Sequence, residues 1–366
     1  MTLPDRAMPE TVRAQIAAVL RAWGMDEENI ALTAEVMVET DLMGVDSHGI
    51  SMLLLYETMQ RAGQLRLNAK PRLVRQSAST AVLDGGAGLG HPVSVAAADL
   101  AAEKALAHDV GVVSVFNSHH HGALGYYARR MTAKGLIGIV STTGRLLTVV
   151  PTFGAERVLG TNPFCFAAPA GRHEALVLDM STSVVAANKV KVHAFDGRPL
   201  PQGWMIGPDG RPLTDAMEAY RLLFEGGGGG LTPIGGAGTE MGGHKGYGLA
   251  LFAQILAGTL GGGSFSPVRN RTQAPSDPDN IGHVFIALNP AAFRDPDAFR
   301  REVDELIDTM RATRPADPDQ PVLVPGDPER AAREDRLQHG IPIPPALADR
   351  IREIAEAAGA PFLLGG

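Results

Sequence analysis

The chain has 366 residues, 45% apolar and 20% charged, with 33 basic against 40 acidic side chains and a formal charge of −7. That length predicts two or three packed units, and the acidic balance excludes a nucleic-acid or anionic-membrane surface as the main partner, because phosphate binding needs a basic face. The one cysteine, Cys165, excludes an internal disulfide and a cysteine-based zinc site.

The N-terminus, MTLPDRAMPETVRAQ, carries charges where a signal peptide has its apolar stretch. No apolar run approaches about 18 residues, so no membrane span and a cytoplasmic location are expected. Val12, Ile16, Val19, Leu20 and Trp23 fall at helical spacing up to Gly24, and DEENIALTAEVMVETDLMG repeats the pattern up to Gly44. The loop VDSHGIS follows, then a third helix from about Met52 to Ala62. From about residue 72 the period changes. RLVRQSASTAVLDGG reads as strand, turn, strand, and HPVSVAAADLAAEKALAHDVG as an Ala-rich helix. VGVVSVFNS is a β-branched run that leads into three histidines. GALGYYARRMTAKG returns to helix, and LIGIVSTTG and EALVLDMSTS are strands with polar ends. Strands mixed with helices make the class α/β or α+β. Cys165 lies in the apolar run TNPFCFAAP, which predicts a buried, inert thiol. The five glycines at 226–230 read as a mobile surface loop, and VRNRTQAPSDPDN as a second exposed loop. PVLVPGD reads as a short strand and turn. Helices near 297–312 and 344–358 are expected to pack on the N-terminal ones.

Three polar strand ends, NSHHHG, STTG and DMSTS, would line one pocket if they converge. Adjacent side chains point different ways, so His119, His120 and His121 do not readily face one metal ion, and no H-E-x-x-H spacing occurs. Proton chemistry is the better functional reading of the row, and a solvated loop the bland one. A second histidine, His48, lies in DLMGVDSHGIS, where Asp46 or Ser47 could orient it; a helix cap explains the same residues nearly as well. In GGHKGYGLAL, Lys245 sits among glycines at a helix start, a setting that suits phosphate, though it is also an ordinary capping lysine. The run GGAGLGH is G-x-G-x-G, so the usual dinucleotide fingerprint is missing.

Taken together, GVDSHGIS, NSHHHGALGYYA, GTNPFCFAAP, LDMSTSVVAANKV, GRPLPQGW, GGHKGYGLAL and PGDPERAAREDRLQHGIPI resemble the type-2 malate/lactate dehydrogenase family. Within it, SHGISML and NSHHHG look most like the hydroxycarboxylate dehydrogenase B branch. The resemblance implies a non-Rossmann α/β fold. A cofactor domain with a mostly antiparallel sheet would span 76–299, and a helical substrate and dimer domain 1–75 and 300–366. It implies an NAD- or NADP-dependent oxidoreductase acting on 2-hydroxy and 2-oxo acids or cyclic imino acids, usually a homodimer. His120 matches the family's proton acceptor and donor, and His48 a second histidine given the donor role in some members. Ser47 and His121 fall beside the substrate. Lys245, His244, Leu178, Asp179, Met180, Ser181, Thr142, Thr143, Gly144, Pro325, Gly326 and Asp327 fall where the family contacts its cofactor. No metal is implied.

One departure bears on the substrate. Many relatives read S-H-G-x-x-R, with the Arg gripping the substrate carboxylate; this chain has Met52. Met cannot make a bidentate, charge-assisted contact but suits bulky or aromatic groups. A larger 2-hydroxy acid such as an aryl lactate is therefore expected over malate. Malate or lactate oxidation, cyclic imine reduction, a metal-dependent hydrolase or lyase built on the histidine row, and a catalytically dead binding relative stand as alternatives. A second departure is Asn188, where many relatives carry Gly.

Overall fold

The computed structural model describes residues 6–365. A two-residue strand β1 (Arg6–Ala7) precedes three helices, α1 (Pro9–Ala22), α2 (Glu27–Leu42) and α3 (Leu53–Arg61). Pro9 opens α1, where its missing N–H costs nothing. Asp26 caps α2 by accepting from the Asn29 N–H at 3.0 Å. The stripe Val12, Ile16, Val19 and Leu20 is buried, as its spacing predicts.

The central part of the chain runs β2 (Arg72–Gln76), β3 (Thr80–Asp84), α4 (Gly90–His108), β4 (Val110–Ser118), α5 (Leu124–Thr132), β5 (Ile137–Thr142), β6 (Phe164–Ala168) and β7 (Leu176–Met180). Then come α6 (Ala187–Phe195), β8 (Met205–Ile206), α7 (Ala216–Tyr220), β9 (Gly230–Leu231), α8 (Gly243–Ala253), α9 (Ser266–Arg269) and β10 (Ile281–Leu288). The chain closes with α10 (Pro296–Arg311), α11 (Asp327–His339), β11 (Ile341–Pro342) and α12 (Pro345–Ala358). Seven strands form one sheet in the order β2-β3-β4-β10-β5-β6-β7. Every neighbouring pair is antiparallel except β3 with β4, which α4 connects. The class is α/β with a mostly antiparallel sheet.

Apolar side chains collect in three places. The first holds Val12, Ile16, Met37, Leu53 and Tyr56 together with Ile341, Ile351 and Ile354 from the far end of the chain, and β1 pairs with β11. The second lies between the sheet and α4 and α5, where Ala97, Ala101, Val113, Val140 and Phe285 are fully enclosed. Cys165 is buried there too. The third, around Val149, Leu159, Val190, Met205 and Leu231, is a separate small core that the sequence pattern does not announce.

Three local expectations are corrected. Only α12 packs on α1 and α3. Helix α10 instead lies against the β6–β7 turn, where Asp304 accepts from the N–H groups of Gly171, Arg172 and His173 at 2.8–3.1 Å. The glycine run at 226–230 is tied down: Arg157 donates to the Gly227 carbonyl at 2.7 Å, and Gly230 begins β9. No strand forms in PVLVPGD: residues 321–324 are irregular, Pro325 and Gly326 make the turn, and Asp327 begins α11.

Candidate active site

The three histidines after β4 go three ways. His119 is buried with Nε2 3.2 Å from the Gln64 carbonyl and Nδ1 3.3 Å from Asp279 Oδ2. Asp279 also accepts from Arg145 and Arg269, both at 2.9 Å; against burial, which raises it, His119 first and then the two guanidiniums hold its carboxyl down at about 2. His120 faces the helical layer: its Nδ1 lies 2.8 Å from the Tyr56 hydroxyl and its ring 5.3 Å from that of His48. His121 turns into the sheet core, 1% exposed, with Nδ1 2.8 Å from Ser94 Oγ and its ring stacked on His283 at 4.1 Å. The ring of His121, expected beside the substrate, is enclosed by His283, Tyr127 and Phe285. Gly90 lets α4 start against this loop. A Cβ there would sit 2.4 Å from the His119 carbonyl oxygen, and the Gly90 N–H donates to the His120 carbonyl at 3.0 Å.

The opposite wall is the loop between α2 and α3. Gly49 lies on the buried Asp41, whose Oδ1 would be 1.8 Å from any Cβ at that position. Asp41 accepts from the Ile50 N–H at 2.8 Å, and burial pushes its carboxyl up to about 8. This seat delivers His48 to His120. Ser47 Oγ lies 2.7 Å from His48 Nδ1, so Ser47 and not Asp46 orients the ring; Asp46 turns to Arg336. Met52 stands one helical turn before Tyr56 and packs against the helical core. Burial lowers the pKa of both imidazoles, and His120 is held well below its ordinary value by burial and then by the neighbouring His48, His91 and His283. Both are therefore neutral near pH 7, the state that accepts a proton.

The three polar strand ends do meet. His283, on the central strand β10, joins two of them: its Nε2 is 3.0 Å from Ser118 Oγ and its Nδ1 2.6 Å from Thr142 Oγ1. Asn162 joins the rest. Its side chain accepts from the Gly144 N–H at 2.8 Å and donates to the Ala250 carbonyl on α8 at 3.0 Å. Thr182 Oγ1 in turn donates to the Thr161 carbonyl at 2.9 Å and approaches that of Asn162 at 3.3 Å. The fully buried Asn162 amide thus ties the end of β5 to α8, which carries Lys245 in its first turn, and Thr182 fastens the end of β7 to the main chain beside it. Sequence reasoning missed Asn162, His283, Tyr56 and His91; only GTNPFCFAAP, quoted as a motif, held a signal for the first.

The segments expected at the cofactor are placed as follows. His244 and Lys245 are exposed on the first turn of the eleven-residue α8, after the left-handed Gly242. Leu178, Met180 and Ser181 are half-buried at the end of the edge strand β7. Pro325 and Gly326 lie against the same strand, where the Pro325 carbonyl accepts from the Val177 N–H at 3.2 Å. Thr142 and Thr143 are buried and turned into the fold, so of that turn only Gly144 is half-open. Asp179 accepts from the Gly125 N–H at 2.7 Å at the start of α5, and burial raises it to about 6. Asp327 is likewise engaged by Arg311 and Arg330 and by the Val324 N–H, which hold it at about 2. Arg129 lies on α5 near Glu174, and its buried Nε has no hydrogen-bond partner. An exposed lysine at a helix N-terminus and an unsatisfied guanidinium N–H are the donors that a dinucleotide's phosphate and sugar oxygens take. Among the described residues no three His, Cys, Asp or Glu side chains are placed to hold a metal, and no helix is long and apolar enough to cross a membrane.

The chain as a whole is similar to known proteins. The profile of the malate/L-lactate dehydrogenase family matches residues 8–352. The chain is 37% identical to malate dehydrogenase of Pyrococcus abyssi over 345 residues, 94% of this chain and 92% of that one. It is 32% identical to hydroxycarboxylate dehydrogenase B of Escherichia coli K12 over 356 residues, 96% and 94% of the two chains. The solved malate dehydrogenase of Pyrococcus horikoshii superposes with a TM-score of 0.86 at 34% identity over 99% of both chains. The chain belongs to the malate/L-lactate dehydrogenase family, type 2, and is a 2-hydroxyacid dehydrogenase of that family, whose enzymes use nicotinamide cofactors.

Proposed function

We propose that this enzyme interconverts a 2-hydroxy acid bearing a bulky or aromatic side chain and its 2-oxo acid, with His120 exchanging the proton. The observation that carries this reading is the pair of neutral imidazoles, His48 and His120, held 5.3 Å apart between the helical layer and the end of β4. A bound NAD or NADP supplies the hydride acceptor or donor. His120 takes the hydroxyl proton of the hydroxy acid, and returns a proton to the carbonyl oxygen in reverse. Ser47 orients His48, which partners His120 on the substrate side. Met52 offers the substrate a polarizable apolar contact in place of a guanidinium.

The test is a panel of 2-oxo acids and cyclic imines followed by NADH and NADPH absorbance. Aryl 2-oxo acids are expected to give a kcat/KM at least about tenfold above oxaloacetate, the effect of about 1.4 kcal/mol of differential transition-state binding. A preference for oxaloacetate would instead align the chain with the relatives named malate dehydrogenases. Met52→Arg is expected to raise activity on small dicarboxylates by about tenfold or more. No gain would mean that another group holds the carboxylate.

For the cofactor, Lys245 and His244 are assigned to phosphate, and Leu178, Met180, Ser181, Gly144, Pro325 and Gly326 to the remaining contacts. Lys245→Ala is expected to raise the cofactor KM about tenfold with a smaller change in the substrate KM, since a charge-assisted bond is worth about 1.5–3 kcal/mol. An unchanged cofactor KM refutes the assignment. The protein is further proposed to be a homodimer. Leu249, Leu251, Phe252, Ile255 and Leu260 are exposed along α8 and its continuation, an apolar face of the kind a partner subunit covers. Light scattering is expected to give twice the chain mass of 38.5 kDa; a monomer at micromolar concentration ends that proposal.

A further inference from the structure

A 2-oxo acid brings a carboxylate to the site, and the groups around His48 and His120 do not meet it with a charge. Met52 is apolar. Arg336, the guanidinium beside the α2–α3 loop, is spent on the Asp46 carboxylate and on the Asp41 carbonyl at 2.6 Å. An anion held away from water without a cation or several donors is costly, so the fold has to supply one.

A surplus of positive charge lies beside His119, the chain neighbour of His120. Asp279 Oδ1 accepts from Arg145 Nε and from Arg269 Nη2, both at 2.9 Å, while Asp279 Oδ2 faces His119 at 3.3 Å. Two guanidiniums thus share one carboxylate. Asp277, the other acid of that loop, accepts from the Ala274 N–H instead. Arg269 is 9% exposed, and its Nη1 is enclosed without a hydrogen-bond partner. Arg145 is the more open of the two, 35% exposed. It gives only Nε to Asp279, and among the described residues its two terminal nitrogens make no hydrogen bond.

The sheet puts these groups at the same end as His120. Strand β10 lies between β4 and β5, and His283 bridges Ser118 on the first to Thr142 on the second. Neighbouring strands are about 4.8 Å apart, so the chain leaves β4 for His120 about 10 Å from where it leaves β5 for Arg145. A substrate's carbinol and carboxylate, with two long side chains, span that interval. Gln64 ties the cluster to the helical layer. Its carbonyl lies 3.2 Å from His119 Nε2, and its amide donates to the Pro275 carbonyl at 2.7 Å. Arg145 also lines an open cleft of about 530 Å³ with Leu146, Leu147, Leu223 and Phe224, apolar walls of the kind that take a bulky side chain.

We propose that Arg145, braced by Asp279 and Arg269, holds the carboxylate of the substrate. The bond from Nε to Asp279 fixes the guanidinium plane and leaves the Nη1–Nη2 edge for a bidentate, charge-assisted contact. Asp279 and Arg269 are positioning residues behind it. The assignment rests on the reaction proposed at His120, yet the hold on the carboxylate can be read without turnover.

The test compares phenylpyruvate and pyruvate with their primary amides, which keep the shape and lose the charge. Dissociation constants come from NADH fluorescence of the enzyme–NADH complex, and kcat/KM from NADH absorbance. Wild type is expected to prefer the acids over the amides by about 100-fold, the worth of a charge-assisted pair. Arg145→Leu should weaken the acids at least about tenfold and move the amides by less than about threefold. Damage to the fold would weaken acid and amide together, so an Arg145→Leu protein with the wild-type ratio overturns the proposal. Should that variant not fold, Arg145→Lys carries the same test. Lysine keeps the charge without the fork, and the ratio is expected to fall about three- to tenfold; an unchanged ratio again overturns it. Full turnover in His120→Ala would sink the parent reading instead and leave the binding ratio to decide the role of Arg145.

Discussion

His120→Ala is expected to lower turnover by about 10²–10⁴-fold, the usual contribution of a positioned proton-transfer group. Cofactor affinity should stay near wild type, because the contacts of the side chain are with Tyr56 and with His48 of the α2–α3 loop, and the cofactor's phosphate is assigned to Lys245. Stopped-flow turnover and a fluorescence titration with NADH measure the two quantities separately. The contrast with His48→Ala is informative. His48 is turned toward Ser47 and meets His120 only ring to ring, so its loss is expected to cost less than that of His120. If the order is reversed, the proton passes through His48, and the resemblance to members that use that residue becomes the better guide. A His120→Ala enzyme with normal turnover removes the imidazole from the chemistry.

Mild acid is expected to unfold this protein earlier than its ordinary composition suggests. His91, His121 and His283 are at most 1% exposed, and His120 is half-open. Burial lowers all four, His91 and His283 to about 3. In the unfolded chain each titrates near ~6.5. Below that pH the unfolded state gains protons that the folded state refuses, so the stability these rings contribute is complete above ~6.5 and is lost as pH falls toward 3. Two carboxyls oppose the trend. Asp41, raised to about 8, and Asp179, raised to about 6, keep their protons in the fold while the unfolded chain releases them near ~3.9. With His48, also lowered by burial, the rings outnumber the two carboxyls, and each ring in excess costs up to about 1.4 kcal/mol per pH unit below 6. Total stabilities are only about 5–15 kcal/mol. Thermal melts from pH 7.5 to 4.5 should show the midpoint falling steeply below 6, and Asp41→Asn should steepen the fall by removing one opponent. A midpoint flat from pH 7 to 5 would mean that the rings accept protons inside the fold.

How much of this was legible beforehand depended on distance along the chain. Periodicity located α1, α2 and α3, and the Ala-rich run located α4, because those signals are local. The loops holding His48 and His120 stood out by composition, and the two residues do meet. The alternation of side chains sends His119, His120 and His121 apart, but it does not reveal that His121 belongs to the core. That depended on His283, which comes from β10 late in the chain. The partner of His120, Tyr56, is a residue of the helical core by its spacing, and nothing near it in sequence announces a hydrogen bond across 64 positions. Asp179 stood out only by its place at a strand end, and its bond to an N–H at the start of α5, 54 positions away, is not written near it in the sequence. Helix α10 was placed with the wrong layer because amphipathic helices do not state which apolar surface they cover.

The position of β10 has its own consequence for how the chain comes together. It lies between β4 and β5, bonded to both along most of its length, and is made only after the whole 143–280 stretch has followed β5 off the ribosome. At about 5–20 residues per second that interval is of the order of ten seconds. Until then β4 and β5 each expose an unpaired, β-branched edge, the kind of surface that recruits another chain. Any truncation ahead of Ile281 therefore removes the keystone of the sheet rather than trimming its margin.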